Sequence, residues 1–239
     1  FGVEYGVARH IGSVSLFADS IDFLEDASLN LLVLLALVLA IGMVVDDVGI
    51  YYDATRPSRL EMLIEQGCPE LKERAKSAIA EIKRHKLSKY NNSLESWDLP
   101  KGKYVLVVDQ CLGDYSVRKG LANKKSFKDM IQKARAENPD ARLIIKIHPD
   151  VAAGKRKGYL KKFAKKKDIL LSRNINPHVL FENVEKIYTV TSLLGMEALI
   201  CGKEVRCFGM PFYAGWGATK DEISIQRRTV KRTAEERSE

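Results

Sequence analysis

From Tyr104 onward the chain alternates short apolar runs with longer amphipathic ones. YVLVVD at 104–109, RLIIKIH at 142–148, DILLS at 168–172, KIYTVT at 186–191 and EVRCFG at 204–209 are rich in Val, Ile and Leu with few polar interruptions. Strands buried on both faces, as in parallel sheets, read this way. SFKDMIQKARAEN at 126–138 instead places Phe127, Met130, Ile131 and Ala134 three and four apart, the period of a helix with one buried face. The alternation predicts an α/β fold on a doubly wound parallel sheet with right-handed crossovers, over residues 101–225.

Upstream, residues 59–90 have helical periodicity broken near Gly67 and Pro69, which predicts two helices, and 91–103 is a polar stretch with Pro100 and Gly102. Residues 46–100 are therefore expected to form a helical subdomain and linker. Residues 29–45 are apolar apart from Asn30, just short of the ~20 residues of a usual membrane span. Residues 1–45 are read as an apolar N-terminal helix: a short span, a buried helix, or the product of a fusion. A signal peptide fits poorly, because the run starts late and lacks a basic flank. Residues 226–239 read as a basic, truncated tail.

Composition adds little: 239 residues, 46% hydrophobic and 29% charged, are ordinary for a globular protein. Cys68, Cys111, Cys201 and Cys207 show no C-x-x-C spacing, so neither a zinc site nor a disulfide scaffold is expected. Charge changes the picture more. The net +8 is concentrated at Lys155, Arg156, Lys157, Lys161, Lys162, Lys165, Lys166 and Lys167, with Tyr159, Leu160 and Phe163 spaced as one face of a helix. A basic amphipathic helix suits an anionic membrane surface, and equally suits a solvated helix packed by its apolar face. No nucleic-acid motif accompanies the charge, so nucleic acid is not an expected partner.

Candidate chemistry collects at the strand ends, where open α/β sheets bind ligands. Asp109 and Asp114 lie just past YVLVV, His148 and Pro149 just past RLIIKI, and Thr191 and Ser192 just past KIYTV. Thr191 or Ser192 would cap a helix whose start suits a phosphate, and Glu197 lies near enough to reach a ribose hydroxyl. Gly113 would let the backbone bend and present Asp114, although two aspartates after a strand are also ordinary turn residues. In GMPFYAGWG at 209–217, Phe212, Tyr213 and Trp216 are either stacking faces for a base or sugar or the rings of a packed lid.

Five blocks in order, DDVGIYYDATRPSRLE at 46–61, VLVVDQCLGDYS at 105–116, KIHPD at 146–150, TVTSLLGMEAL at 189–199 and RCFGMPFYAGWG at 206–217, resemble bacterial capsule polysaccharide biosynthesis proteins of the KpsC type. The resemblance implies the Rossmann-like, nucleotide-holding half of a two-domain GT-B glycosyltransferase. It implies a retaining β-Kdo transferase that moves Kdo from CMP-Kdo to a phospholipid-linked Kdo acceptor, through a covalent intermediate on a carboxylate. Asp114 would be the nucleophile, with Asp109 and Gln110 orienting it or binding Kdo. His148 would stabilise the departing CMP with Pro149 beside it, and Thr191 and Ser192 would hold its phosphate. No metal or cofactor is implied. The setting would be the cytoplasmic face of the inner membrane, at an anionic surface and within a capsule biosynthesis or export complex.

A second resemblance covers the amino-terminal residues. SVSLF at 13–17 and SLNLLVLLALVLAIGMVVDD at 28–47 are similar to the fourth transmembrane helix of resistance-nodulation-division efflux transporters, whose paired aspartates carry protons. No transport role is assigned to Asp46 or Asp47. The capsule family's acidic-Asp-Gly-Phe-Leu-Arg-Ser block is here represented only by Glu25 and Asp26, with Ala27 replacing Gly. Two alternatives follow: a membrane-associated capsule export component, or an inactive sugar-nucleotide-binding module.

Overall fold

The computed structural model describes residues 53–67, 72–89 and 96–228. The apolar run at 29–45 and the whole transporter-like stretch lie outside the described residues, and nothing found for this chain supports the transporter likeness. Among the described residues no helix is long and apolar enough to cross a membrane.

Two helices come first, α1 (Arg59–Gln66) and α2 (Lys72–Arg84). Ser58 starts α1: its hydroxyl accepts from the Glu61 N–H, while the Glu61 carboxylate accepts from the Ser58 N–H, a reciprocal cap. The remainder is an alternation of β1 (Tyr104–Val108), α3 (Tyr115–Lys119), α4 (Lys124–Glu137), β2 (Arg142–Lys146), α5 (Pro149–Ala152), β3 (Ile169–Leu171), α6 (Pro177–Glu182), β4 (Lys186–Thr189), α7 (Leu194–Ile200), β5 (Glu204–Cys207) and β6 (Lys220–Asp221). All six strands are parallel, in the order β3-β2-β1-β4-β5-β6. The five apolar runs are β1 to β5; the short edge strand β6 carries no apolar signal.

Period-2 alternation splits the core into two layers. Leu106 and Val108 of β1 join Val179, Leu180 and Phe181 of α6 and Ala198 of α7 on one face of the sheet. Val105 and Val107 join Phe127, Met130, Ile131 and Ala134 of α4 on the other. Every residue of β1 is buried, as its position between β2 and β4 requires. Strand order reverses direction between β1 and β4, so the loops leaving these two strands flank the crevice where such sheets take ligands.

The basic segment departs from its sequence pattern. Residues 155–167 form no amphipathic helix, only a 3₁₀ turn at Lys161–Phe163. Gly154 takes φ +74° and ends α5, and the Tyr159 and Leu160 N–H groups are drawn to the Asp109 carboxylate at 2.9 and 3.2 Å. Tyr159 stacks flat on Phe127, with ring centroids 3.9 Å apart, and Leu160 is fully buried. Tertiary partners for three apolar residues thus override the helical spacing, and all eight cations remain exposed.

The carboxyl end of the described chain is built into the body. Arg228, 4% exposed, donates to Glu61 at 2.7 Å and to the Pro211 and Ala214 carbonyls, and its guanidinium lies over the Trp216 ring. Arg227 donates to the other Glu61 oxygen at 2.8 Å. Asp53 in turn pairs with Lys119 of α3 at 2.7 Å, which holds the carboxylate below and the ammonium above their ordinary pKa values.

Candidate functional site

At the switch point one hydrogen-bond network joins the loops after β1 and β4. Gln110 accepts from the Thr191 N–H at 3.0 Å and donates back to the Thr191 hydroxyl at 3.0 Å. The Ser116 hydroxyl lies 3.3 Å from the same Thr191 oxygen and donates to Asp114 Oδ1 at 3.0 Å. Asp114 is the N-cap of α3 and also accepts from the Ser116 N–H at 3.0 Å. Gly113, at φ +80°, makes the turn that places Asp114 there, and its N–H donates to the Tyr159 hydroxyl. Asp114 is half-buried, unlike its neighbour Asp109.

Asp109 is 2% exposed and faces inward. Its Oδ1 accepts from the N–H groups of Gln110, Tyr159 and Leu160. Its Oδ2 has no hydrogen-bond partner and lies where a side chain at Gly158 would meet it, 2.3 Å from an added Cβ. Burial raises the Asp109 pKa against the opposing pull of the three N–H donors. Asp109 thus ties residues 159 and 160 to the loop after β1, and neither of its oxygens bonds Asp114.

His148 ends the β2 segment as the N-cap of α5. Its Nδ1 accepts from the Asp150 N–H at 3.2 Å, and the Cys111 sulfur lies 3.2 Å from the same nitrogen. Burial lowers the His148 pKa, against the pull of Asp150 and Asp114, and raises that of Cys111. A neutral ring that accepts at Nδ1 carries its proton on Nε2, available to a ligand. Cys111, His148 and Asp150 also place three metal-ligating atoms within 4.8 Å of one another. Neither Cys111 nor Ser116 is marked by a sequence motif for this role; only the Asp-x-Ser capping pattern at 114–116 points to the serine.

Beside His148, the carboxyl ends of β2 and β3 enclose an open depression of about 300 Å³ lined by Lys146, Pro149, Ser172, Arg173 and Asn174. Burial lowers the Lys146 pKa. On the other side, Ser192 lies one residue before the N-cap of α7, which is Leu193. The Ser192 hydroxyl still accepts from the Leu194 N–H, and its own N–H donates to Thr189. The expected cap at Thr191 or Ser192 is thus displaced by one residue.

Three expected contacts are otherwise engaged. Glu197 accepts from the Ser88 hydroxyl at 2.8 Å, and burial raises its pKa. Tyr213, 5% exposed, donates to the Ser192 carbonyl, and Trp216, 3% exposed, donates to the Phe212 carbonyl at 2.9 Å. Tyr213 is packed beneath Ser192 and Trp216 beneath Arg228, so neither ring is a free stacking face. Gly195 and Gly209 permit this packing: a Cβ at the first would lie 2.3 Å from the Tyr213 hydroxyl, and at the second 2.7 Å from Thr191 Cγ2.

The fold defines a doubly wound α/β domain whose candidate functional groups come from strand ends at the switch point. Residues 81–238 match the profile described as "Capsule polysaccharide biosynthesis protein", and the chain belongs to that family, as a KpsC-type capsule protein. It is 44% identical over 207 residues to the capsule polysaccharide modification protein LipA of Neisseria meningitidis serogroup B, covering 80% of this chain and 29% of LipA. It is 40% identical over 212 residues to the lipopolysaccharide-processing protein LpsZ of Rhizobium meliloti, covering 83% of this chain and 47% of LpsZ. Among solved structures it is similar to Thermosulfurimonas dismutans KpsC, beta Kdo 2,4 transferase, with TM-score 0.75 and 45% identity over 80% of this chain and 62% of that one. The beta Kdo 2,7 transferase of the same protein follows, with TM-score 0.59 and 31% identity, covering 80% of this chain and 60% of that one. The chain thus spans less than a third of LipA and about half of LpsZ.

Proposed function

We propose that this chain carries the donor side of a retaining β-Kdo transferase in capsule polysaccharide biosynthesis, with CMP-Kdo as donor and a phospholipid-linked Kdo as acceptor. The observation that carries the reading is the network Asp114–Ser116–Thr191–Gln110, which ties a half-buried carboxylate to the backbone beside Ser192 across the switch point. Similarity to the two Kdo transferases supports the class of reaction.

On this reading the Asp114 carboxylate attacks the anomeric carbon of Kdo, and the bond to CMP breaks with its electron pair leaving on the phosphate. Thr191, Ser192 and the Nε2–H of neutral His148 receive that phosphate. An acceptor hydroxyl then attacks the same carbon, releases Asp114 and gives its proton to solvent, so configuration is retained over two inversions. Pro149 and Gly113 shape the loops that present His148 and Asp114. Lys146 and Arg173 line the adjoining depression and suit the acidic sugar's carboxylate. Glu197, held by Ser88, anchors the segment preceding β1 and is omitted from the donor contacts.

The test is incubation with CMP-Kdo and a Kdo-lipid acceptor, with product read by mass spectrometry. Asp114→Asn retains the acceptor oxygen that caps α3 but is a far poorer nucleophile. CMP binding is expected to persist in this variant while transfer falls by at least a thousandfold, as expected for loss of a covalent catalyst. Equal transfer by wild type and variant would remove Asp114 as nucleophile, and an unchanged protein that neither binds CMP nor transfers would sink the donor reading.

A further inference from the structure

The segment 155–167 holds eight basic residues and no acidic one, while the other 31 basic residues of the chain match its 31 acidic residues in number. The entire net charge of +8 therefore equals the charge of this one segment. Elsewhere, cations such as Lys119, Arg206, Arg227 and Arg228 are paired with carboxylates. None of these eight makes a salt bridge among the described residues, and all are exposed. The segment is also joined to the loop bearing Asp114. The Leu112 N–H donates to the Lys157 carbonyl at 2.6 Å, Arg156 donates to the Leu112 carbonyl at 3.3 Å, and Cys111 bridges to Gly158. Leu112 itself is 45% exposed, and Tyr115, three residues on, is 41% exposed.

We propose that residues 155–167, with Leu112, are a docking strip for an anionic phospholipid bilayer, which holds the loop bearing Asp114 at the membrane where a lipid-linked acceptor lies. The strip's use in transfer rests on the reading above; its binding to a bilayer does not. An unpaired basic strip beside an exposed leucine combines the two attractions of an interfacial contact, charge towards the headgroups and apolar area towards the acyl boundary. A soluble polyanion would use the cations and leave Leu112 idle. The Asp109 carboxylate, by accepting from the Tyr159 and Leu160 N–H groups, ties the strip to the loop after β1.

Flotation with phosphatidylcholine vesicles, with and without phosphatidylglycerol and with neither donor nor acceptor present, tests the strip. Phosphatidylglycerol is expected to add a component of binding that falls as salt is raised. Lys161→Gln, Lys162→Gln, Lys165→Gln and Lys166→Gln together should lower that component roughly a hundredfold or more, at about fivefold per cation, with the unfolding midpoint unchanged. Leu112→Ser should weaken it too, while leaving retention on heparin as it was. No phosphatidylglycerol-dependent component, an undiminished one in the quadruple variant, or heparin retention without vesicle binding would each overturn the proposal. CMP binding and release are measured separately, so loss of the transferase reading would leave the flotation result standing.

Discussion

Two aspartates five positions apart reach opposite environments because one follows the strand directly and the other follows a glycine turn. Asp109 is buried with three N–H donors on one oxygen, whereas Asp114 caps a helix at the mouth of the crevice. Removing the first should damage the fold: Asp109→Ala leaves the Gln110, Tyr159 and Leu160 N–H groups without their acceptor and is expected to cost about 3 kcal/mol or more in urea unfolding. Gly158→Ala should cost a similar amount, because its Cβ would fall 2.3 Å from Asp109 Oδ2. Asp114→Ala, by contrast, loses one cap, worth about 1 kcal/mol, and its main effect is expected on transfer. The sequence placed both residues at the strand end and favoured Asp114 through a family resemblance and the preceding Gly113. Burial separated them, and burial depends on the distant Gly158 segment.

Elements behaved according to how much of their pattern was satisfied locally. β1 to β5 were legible because an unbroken apolar run has few exposed solutions, and α4 because its buried stripe agrees with a capped start at Asn123. The 155–167 segment misled, since Tyr159, Leu160 and Phe163 have helical spacing but find their partners in Phe127 and the sheet. The 209–217 loop was ambiguous for the same reason: its aromatic rings suit a ligand or a core equally. Here they pack, with Tyr213 under Ser192 and Trp216 under Arg228. Tyr213→Phe should therefore cost about 1 kcal/mol and raise the Kd for CMP without changing the fold, as checked by calorimetric titration. Arg228→Met leaves Glu61 half-paired in a buried site and is expected to lower stability by about 3 kcal/mol or more, by urea unfolding.

At the scale of the whole molecule, the sheet joins segments far apart in sequence, and one such junction has a pH signature. Glu197 of α7 holds Ser88, just after α2, and burial keeps its folded pKa above the unfolded value near 4.5. An acid raised in this way is penalised above its folded pKa, and the penalty is relieved as pH falls from that value towards 4.5. Glu197→Gln keeps an acceptor for Ser88 and removes the ionisation, so stability at neutral pH should hold or rise while its dependence on pH in that window flattens. Urea unfolding across the window measures this, and a stability loss at neutral pH would contradict it. Sequence alone determined the strand succession, the parallel doubly wound class and the clustering of Asp114, His148, Thr191 and Ser192 at strand ends, because hydrophobic period and order along the chain are local properties. Only the tertiary structure decided which of these side chains meet, that Gln110 and Ser116 link them, that Asp109 turns inward, and that the basic segment lies beside the loop bearing Asp114. Those outcomes depend on the β3-β2-β1-β4-β5-β6 order, which brings residues some eighty positions apart into hydrogen-bond contact through backbone pairing that no stretch of sequence displays by itself.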